Sequence, residues 1–199
     1  MSKITQTAVS TLLFLLTLLV LSGCDYSTRI ISSADSPDVI FDNFISAMKE
    51  KDFDKANSYL ADGASVTPVN DTGFSFFDCF IDVSLGSLSC RTLEQPVIHG
   101  TGASIDRVRI TSLDKSKFID WANDNILGIQ HEYMVQHNVT EFDSKDRKAV
   151  GDLLSVAFNE YAKDAGTLDS VIKVDFVYTG GEWKIIGSDD LIAAIFGGI

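Results

Sequence analysis

Ile172-Lys173-Val174-Asp175-Phe176-Val177-Tyr178-Thr179-Gly180-Gly181-Glu182-Trp183-Lys184-Ile185 is the stretch whose reading decides the fold. Ile172, Val174, Phe176 and Tyr178 alternate with Lys173 and Asp175, the two-residue period of a strand with one buried face. Gly180-Gly181 then marks a two-residue hairpin loop, because a primed turn needs positive φ at its centre. Trp183 and Ile185 return on one face, and Ser188 can cap a short apolar helix predicted over 189–196.

Upstream of this hairpin the apolar spacing becomes helical. A helix is expected over 145–163, with Val150, Leu153, Leu154, Ala157 and Tyr161 inward, and another over 115–129, with Phe118, Ala122, Ile126 and Ile129 on one face. Arg107-Val108-Arg109-Ile110 alternates as a half-exposed strand. The segment from Phe74 to Leu85 fits both periods. Phe77, Ile81, Leu85 and Leu88 keep helical steps, while Phe77, Cys79, Ile81, Val83 and Leu85 alternate as in a strand.

Further towards the amino terminus, Ser36-Pro37-Asp38 opens a helix with an N-cap candidate, a proline at the first turn and an acid on the favourable end of the dipole. Ile40, Phe41, Phe44, Ile45 and Met48 form its apolar face. A second short helix is expected over 53–60, capped by Asp52, stopped near Gly63, with Ala56, Tyr59 and Leu60 inward. Helices first and an antiparallel sheet last define the α+β class.

Asp52-Phe53-Asp54-Lys55-Ala56 and Gly181-Glu182-Trp183-Lys184-Ile185 resemble the two ends of small bacterial lipoproteins with a nuclear transport factor two-like domain. The resemblance implies helices packed on a curved antiparallel sheet, forming a cone with an open pocket. It does not extend to the middle of the chain, Thr67 to Gln95 in particular. That fold carries isomerases and dehydratases as well as members of no known activity, so function has to be sought in residues.

Lys3 precedes an apolar run from Leu12 to Leu21 that is interrupted only by Thr17, and Leu21-Ser22-Gly23-Cys24 follows at once. The run is shorter than the roughly 18–20 residues of a spanning helix. Small Ser22 and Gly23 before a nucleophilic thiol resemble the lipobox of bacterial lipoproteins, which implies a diacylglyceryl-modified Cys24 and a signal removed before it. Residues 1–23 are thus read as a signal peptide, 24–35 as a lipidated tether and 36–199 as one globular domain. Asp25 resembles the inner-membrane retention signal of enteric-type lipoproteins, which in a Gram-negative cell implies a periplasm-facing location.

The chain is acidic, with a formal net charge of -12, and Lys3 is the only charged side chain before Cys24. Nucleic acid and anionic head-group surfaces are therefore unsuitable partners, since both require clustered cations. Export also places Cys79 and Cys90 in an oxidising compartment, where a disulfide is expected. Such a bond needs a chain reversal, because a continuous helix would separate the two by roughly 16 Å.

Motifs of catalysis are sparse. His131 and His137 lie six apart, without the four-residue step of a zinc pair, so no metal is expected. His99-Gly100-Thr101-Gly102 reads as a turn, and no nucleophile elbow or phosphate loop occurs. Asp175 and Tyr178 fall on opposite strand faces, nothing distinguishes Asp78 or Asp120 from solvated acids, and Tyr178 and Trp183 read as hairpin core. No catalytic residue or cofactor is assigned. The expected function is a non-catalytic binding module at the membrane, with an envelope protein or a small apolar ligand as partner. The alternative is an isomerase- or dehydratase-type enzyme on a small lipophilic substrate.

Overall fold

Residues 36–66 and 74–197 are described by the computed structural model. Two long strands dominate it: β3 (Gly102–Leu113) and β4 (Thr167–Thr179). They pair antiparallel from Gly102↔Val177 to Leu113↔Thr167. β5 (Glu182–Ile185) continues the sheet beyond β4, while β1 (Ser89–Thr92) and β2 (Val97–His99) pair with successive parts of the other edge of β3. The Gly180-Gly181 turn has φ of 62° and 94°, the positive values that the sequence requires of it.

Between Ile105↔Val174 and Val108↔Ile172 the register shifts, because β3 advances three residues while β4 advances two. The extra residue changes which parity of β3 faces the core. Ala103 and Ile105 are buried before it, Val108, Ile110 and Ser112 after it. A bulge of this kind bends its strand and strengthens the twist, so one sheet curls around its contents. Arg107 and Arg109 lie on the exposed side, as the alternation predicts.

Among the described residues six helices complete the fold. α1 (Pro37–Lys49) lays Phe41, Phe44 and Met48, all fully buried, against β1, β3 and β5. After α2 (Phe53–Ser58), capped by the Asp52 carboxylate on the Lys55 amide, the chain joins β5 through Ile185 N to Tyr59 O and Ala61 N to Ile185 O, each 2.8 Å. α6 (Asp189–Ile195) packs on β3 and β4, with Ser188 Oγ accepting from the Leu191 amide as expected. α4 (Phe118–His137) and α5 (Arg147–Asp164) pack on each other, and α3 (Ser75–Gly86) packs on α5. The architecture is therefore α+β, with helices on a curved antiparallel sheet.

The segment with two periods is helical throughout, and its double reading has a physical cause. α3 is apolar on two faces: Phe76 and Phe80 meet Phe158 of α5, while Phe77 and Ile81 turn towards a cavity. Two other expectations need correction. α4 runs two turns beyond residue 129, to an αL cap at Asn138, and buries Phe118, Ile129 and Tyr133, whereas Ile126 remains 38% exposed. The disulfide is not formed. Cys79 and Cys90 are free thiols with different surroundings. Cys79 Sγ meets Ser155 and Asn159 of α5, whereas Cys90 lies on β1 under the influence of Asp42 of α1.

α3 approaches α5 closely at Gly151, where an added Cβ would stand 3.0 Å from Ser75 Oγ and 3.2 Å from Ser75 N. Gly128, on the exposed side of α4, has open space around it. Leucine at position 151 is expected to lower unfolding stability by about 1–3 kcal/mol through overpacking. Gly128→Ala is expected to raise it by roughly 0.5–1 kcal/mol through helix propensity alone. Chemical denaturation of both variants checks the pair, and equal effects at the two sites would contradict the close approach.

Candidate functional site

Phe158, fully buried, is the centre of an aromatic cluster. Its ring lies 5.0 Å from Phe118, 5.3 Å from Phe80 and 5.8 Å from Phe76. These separations are those of stacked and edge-to-face pairs, each worth about 0.5–1.5 kcal/mol beyond area burial. The cluster fixes α3, the start of α4 and α5 relative to one another. The hydroxyl of Tyr161, one turn on, donates to Asp114 O at 2.6 Å and ties α5 to the end of β3.

One side of this cluster is not filled. Phe76, Phe80, Phe118 and Phe158, with Phe77, Ile81, Ile119 and Leu154, wall a cavity of about 650 Å³. Ser65, Val66, Ile192 and Phe196 close it from the α2 exit and the α6 end. Small-molecule sites are commonly concave, mostly apolar spaces of about 300–1,000 Å³ with a few placed polar groups. Ile119 is 67% exposed and Phe77 43%, so apolar surface continues to the rim.

Lys115 is the one titratable residue among the described lining residues. It sits in the short connection between β3 and α4, where Leu113 and Phe118 are both buried and draw the intervening stem inward. Its ammonium donates to Ser84 Oγ at 3.2 Å and lies 5.2 Å from the centre of the Phe80 ring. Burial pulls its pKa down to about 8, with the neighbouring Asp114 charge only partly opposing this. That carboxylate is engaged with Ser116, accepting from its amide at 2.9 Å and its hydroxyl at 2.7 Å.

The acids considered from sequence do not reach the cavity. Asp78 and Asp120 are exposed and outside its lining. Asp175 pairs with Lys173 at 2.8 Å, and Tyr178 donates to Gly181 O at 2.7 Å while its ring meets buried Trp183 edge-on. A shallower depression holds Cys79, His137, Asp152 and Asn159. The Cys79 thiol is no ready nucleophile, since burial raises its pKa despite hydrogen bonds with Ser155 and Asn159. His131 and His137 are exposed, and His99 ends β2 at the hairpin turn. Among the described residues no cluster of metal-ligand type occurs, and no helix is long and apolar enough to cross a membrane. Leu21, Ser22, Gly23, Cys24 and Asp25 lie outside the described residues.

Sequence reasoning missed the two residues that organise this site. Phe158 has its signal in the four-residue step from Leu154, which runs beside the face read from Leu153, Ala157 and Tyr161. Lys115 had no signal beyond its place between two inward apolar residues.

No protein-family model matches this chain, and no curated protein matches it. Among solved structures, the chain is similar to a candidate lipoprotein, ycdA, of Bacillus subtilis, at 17% sequence identity and a TM-score of 0.40. The likeness covers 81% of this chain and 46% of that one, so this chain spans about half its length.

Two outcomes are expected of these ionisable groups. Because the folded state lowers the Lys115 pKa from 10.5 to about 8, the unfolded state binds more protons between these values. Stability from this group therefore rises with pH above 8. Cys90 opposes it from pH 9, since burial, with Asp42 adding to it, pushes that thiol from 9.0 up to about 12. The difference between wild type and Lys115→Met, measured by denaturation from pH 7 to 10, isolates the lysine contribution; a pH-independent difference would refute it.

The raised thiol pKa also sets reactivity. At pH 8 roughly one Cys90 in ten thousand would be thiolate, against about one in ten when unfolded. Iodoacetamide should therefore modify Cys90 at the rate of global or local opening, with urea accelerating it strongly. Rapid native alkylation at Cys90 would contradict the burial.

Proposed function

We propose that this protein is an extracytoplasmic lipoprotein, held to the membrane by lipid on Cys24, whose domain binds a small apolar ligand in the cavity beside Phe158. The cavity carries this reading: about 650 Å³, walled largely by phenylalanine and aliphatic side chains, with Lys115 as its titratable group. Burial of apolar ligand surface there contributes about 25 cal/mol per Å², enough to retain a molecule with several methylenes. An acid-base enzyme on a lipophilic substrate would need a converging proton donor and acceptor in the lining. Lys115 has no carboxylate or imidazole partner among the described lining residues, which favours binding over that chemistry.

The leader supports the anchor. Leu21-Ser22-Gly23-Cys24 follows the apolar run directly, and two or three acyl chains give stable attachment where one is marginal. Asp25 assigns the protein, in a Gram-negative host, to the inner membrane and the periplasm. A nuclear transport factor two-like cone is the domain type that fits helices on a curled sheet around a pocket.

Mass spectrometry of the membrane-extracted protein is expected to find an acylated amino-terminal Cys24, and Cys24→Ser to leave the membrane fraction. In a Gram-negative host the wild type should sediment with inner membrane. Recovery of unmodified Cys24 refutes the anchor, and recovery chiefly in outer membrane refutes the Asp25 assignment. For the cavity, a photoactivatable hydrocarbon added to isolated membranes should label peptides bearing Phe77, Ile81 and Ile119. Leu154→Trp, which fills the space, should suppress that labelling. Labelling indifferent to this substitution would overturn the ligand reading.

A further inference from the structure

A lone ammonium in an apolar cavity needs a reason. Lysine heads are usually kept in water while their stems cover apolar surface. Here the head lies against Phe80 and Ser84, and Ser84 is itself fully buried. An ammonium has three donors, and among the described residues Ser84 Oγ is its one hydrogen-bond acceptor. The neighbouring acid is turned away onto Ser116. Burying a cation there costs desolvation free energy that the Asp114 charge offsets only in part.

Chain position confirms that the cation is directed to the cavity. Ser116 and Lys117, the next two residues, are exposed, while Lys115 is half-buried. Phe196 and Ile192 approach from α6, and an added Cβ at Gly197 would stand 2.9 Å from Lys115 Nζ. The head is therefore enclosed from three sides: α3 through Ser84 and Phe80, its own connection, and the turn after α6. The fourth side is the apolar space walled by Phe77, Ile81 and Ile119.

We infer that the ligand is a free fatty acid, its alkyl chain in the phenylalanine-walled cavity and its carboxylate on Lys115 Nζ. This rests on the ligand reading above and assigns the chemistry of its head group. A carboxylate at Nζ accepts a charge-assisted hydrogen bond and can accept a second bond from the Ser84 hydroxyl, which completes a site otherwise short of acceptors. The alkyl chain replaces water along Phe77, Ile81, Leu154 and Ile119. A net charge of -12 over the chain repels anions generally, so selection for this acid arises locally, from one cation in a low-dielectric pocket. Bound carboxylate also favours the charged lysine, so binding weakens as pH rises past the pKa of that group in the complex. Among the described residues, the charged group that acts on Nζ is Asp114 of its own connection.

The test uses full-length protein in isolated membranes, with two photoactivatable probes of equal chain length: a diazirine fatty acid and the corresponding diazirine alcohol. Wild type should take up the acid at least about tenfold better than the alcohol at cavity peptides, the worth of one hydrogen bond to a charged group. Lys115→Met should lower acid labelling relative to alcohol labelling by about that factor, and Lys115→Arg should restore the preference. Equal labelling by acid and alcohol, or an acid preference that survives Lys115→Met, overturns the head-group assignment while leaving the apolar cavity standing. Absence of cavity labelling by either probe overturns the ligand reading itself.

Discussion

Phe158 holds this structure together, and the rest depends on its contacts. Its ring touches aromatic side chains from α3, from the start of α4 and from its own helix. Its ring contacts help hold α3 along α5, where the Ser75 hydroxyl donates to Asp152 at 2.5 Å. Core packing at near-crystalline density lets one large side chain fix several elements at once. The same ring forms the floor of the cavity, so the geometry of the site and the integrity of the core are one constraint.

The sheet supplies a second constraint. Its bulge between Ile105 and Val108 keeps apolar residues of β3 inward on both sides of a bend. The curled sheet then receives α1 and α6 on β3 and β4 or β5, while Leu113 at the end of β3 joins the aromatic cluster. Lys115, two residues further on, thus inherits its position from the strand, from buried Leu113 and Phe118 on either side, and from Tyr161 holding the Asp114 carbonyl.

Energetically the site combines unlike parts. Apolar walls contribute retention without direction, whereas one ammonium contributes direction at a desolvation cost. Ion pairs elsewhere in the domain, such as Lys51 with Asp82 and Lys173 with Asp175, are exposed. These are worth little, because solvent and salt screen them. The half-buried lysine is different in kind, since burial pulls its pKa down.

Local chemistry made the closing hairpin legible in sequence. Alternation over Ile172–Tyr178 and the paired glycines leave one backbone solution, and the apolar steps of α1, α5 and α6 likewise announce helices. By contrast, tertiary contact decided the state of 74–85, where two periods coexist until α5 presents Phe158 to one face. It also decided the fate of Cys79 and Cys90, which spacing made plausible partners and which packing sends to α5 and to the neighbourhood of α1. The cavity is of the same kind: no linear pattern marks where four elements fail to fill a space, because a void belongs to the packing and to no residue.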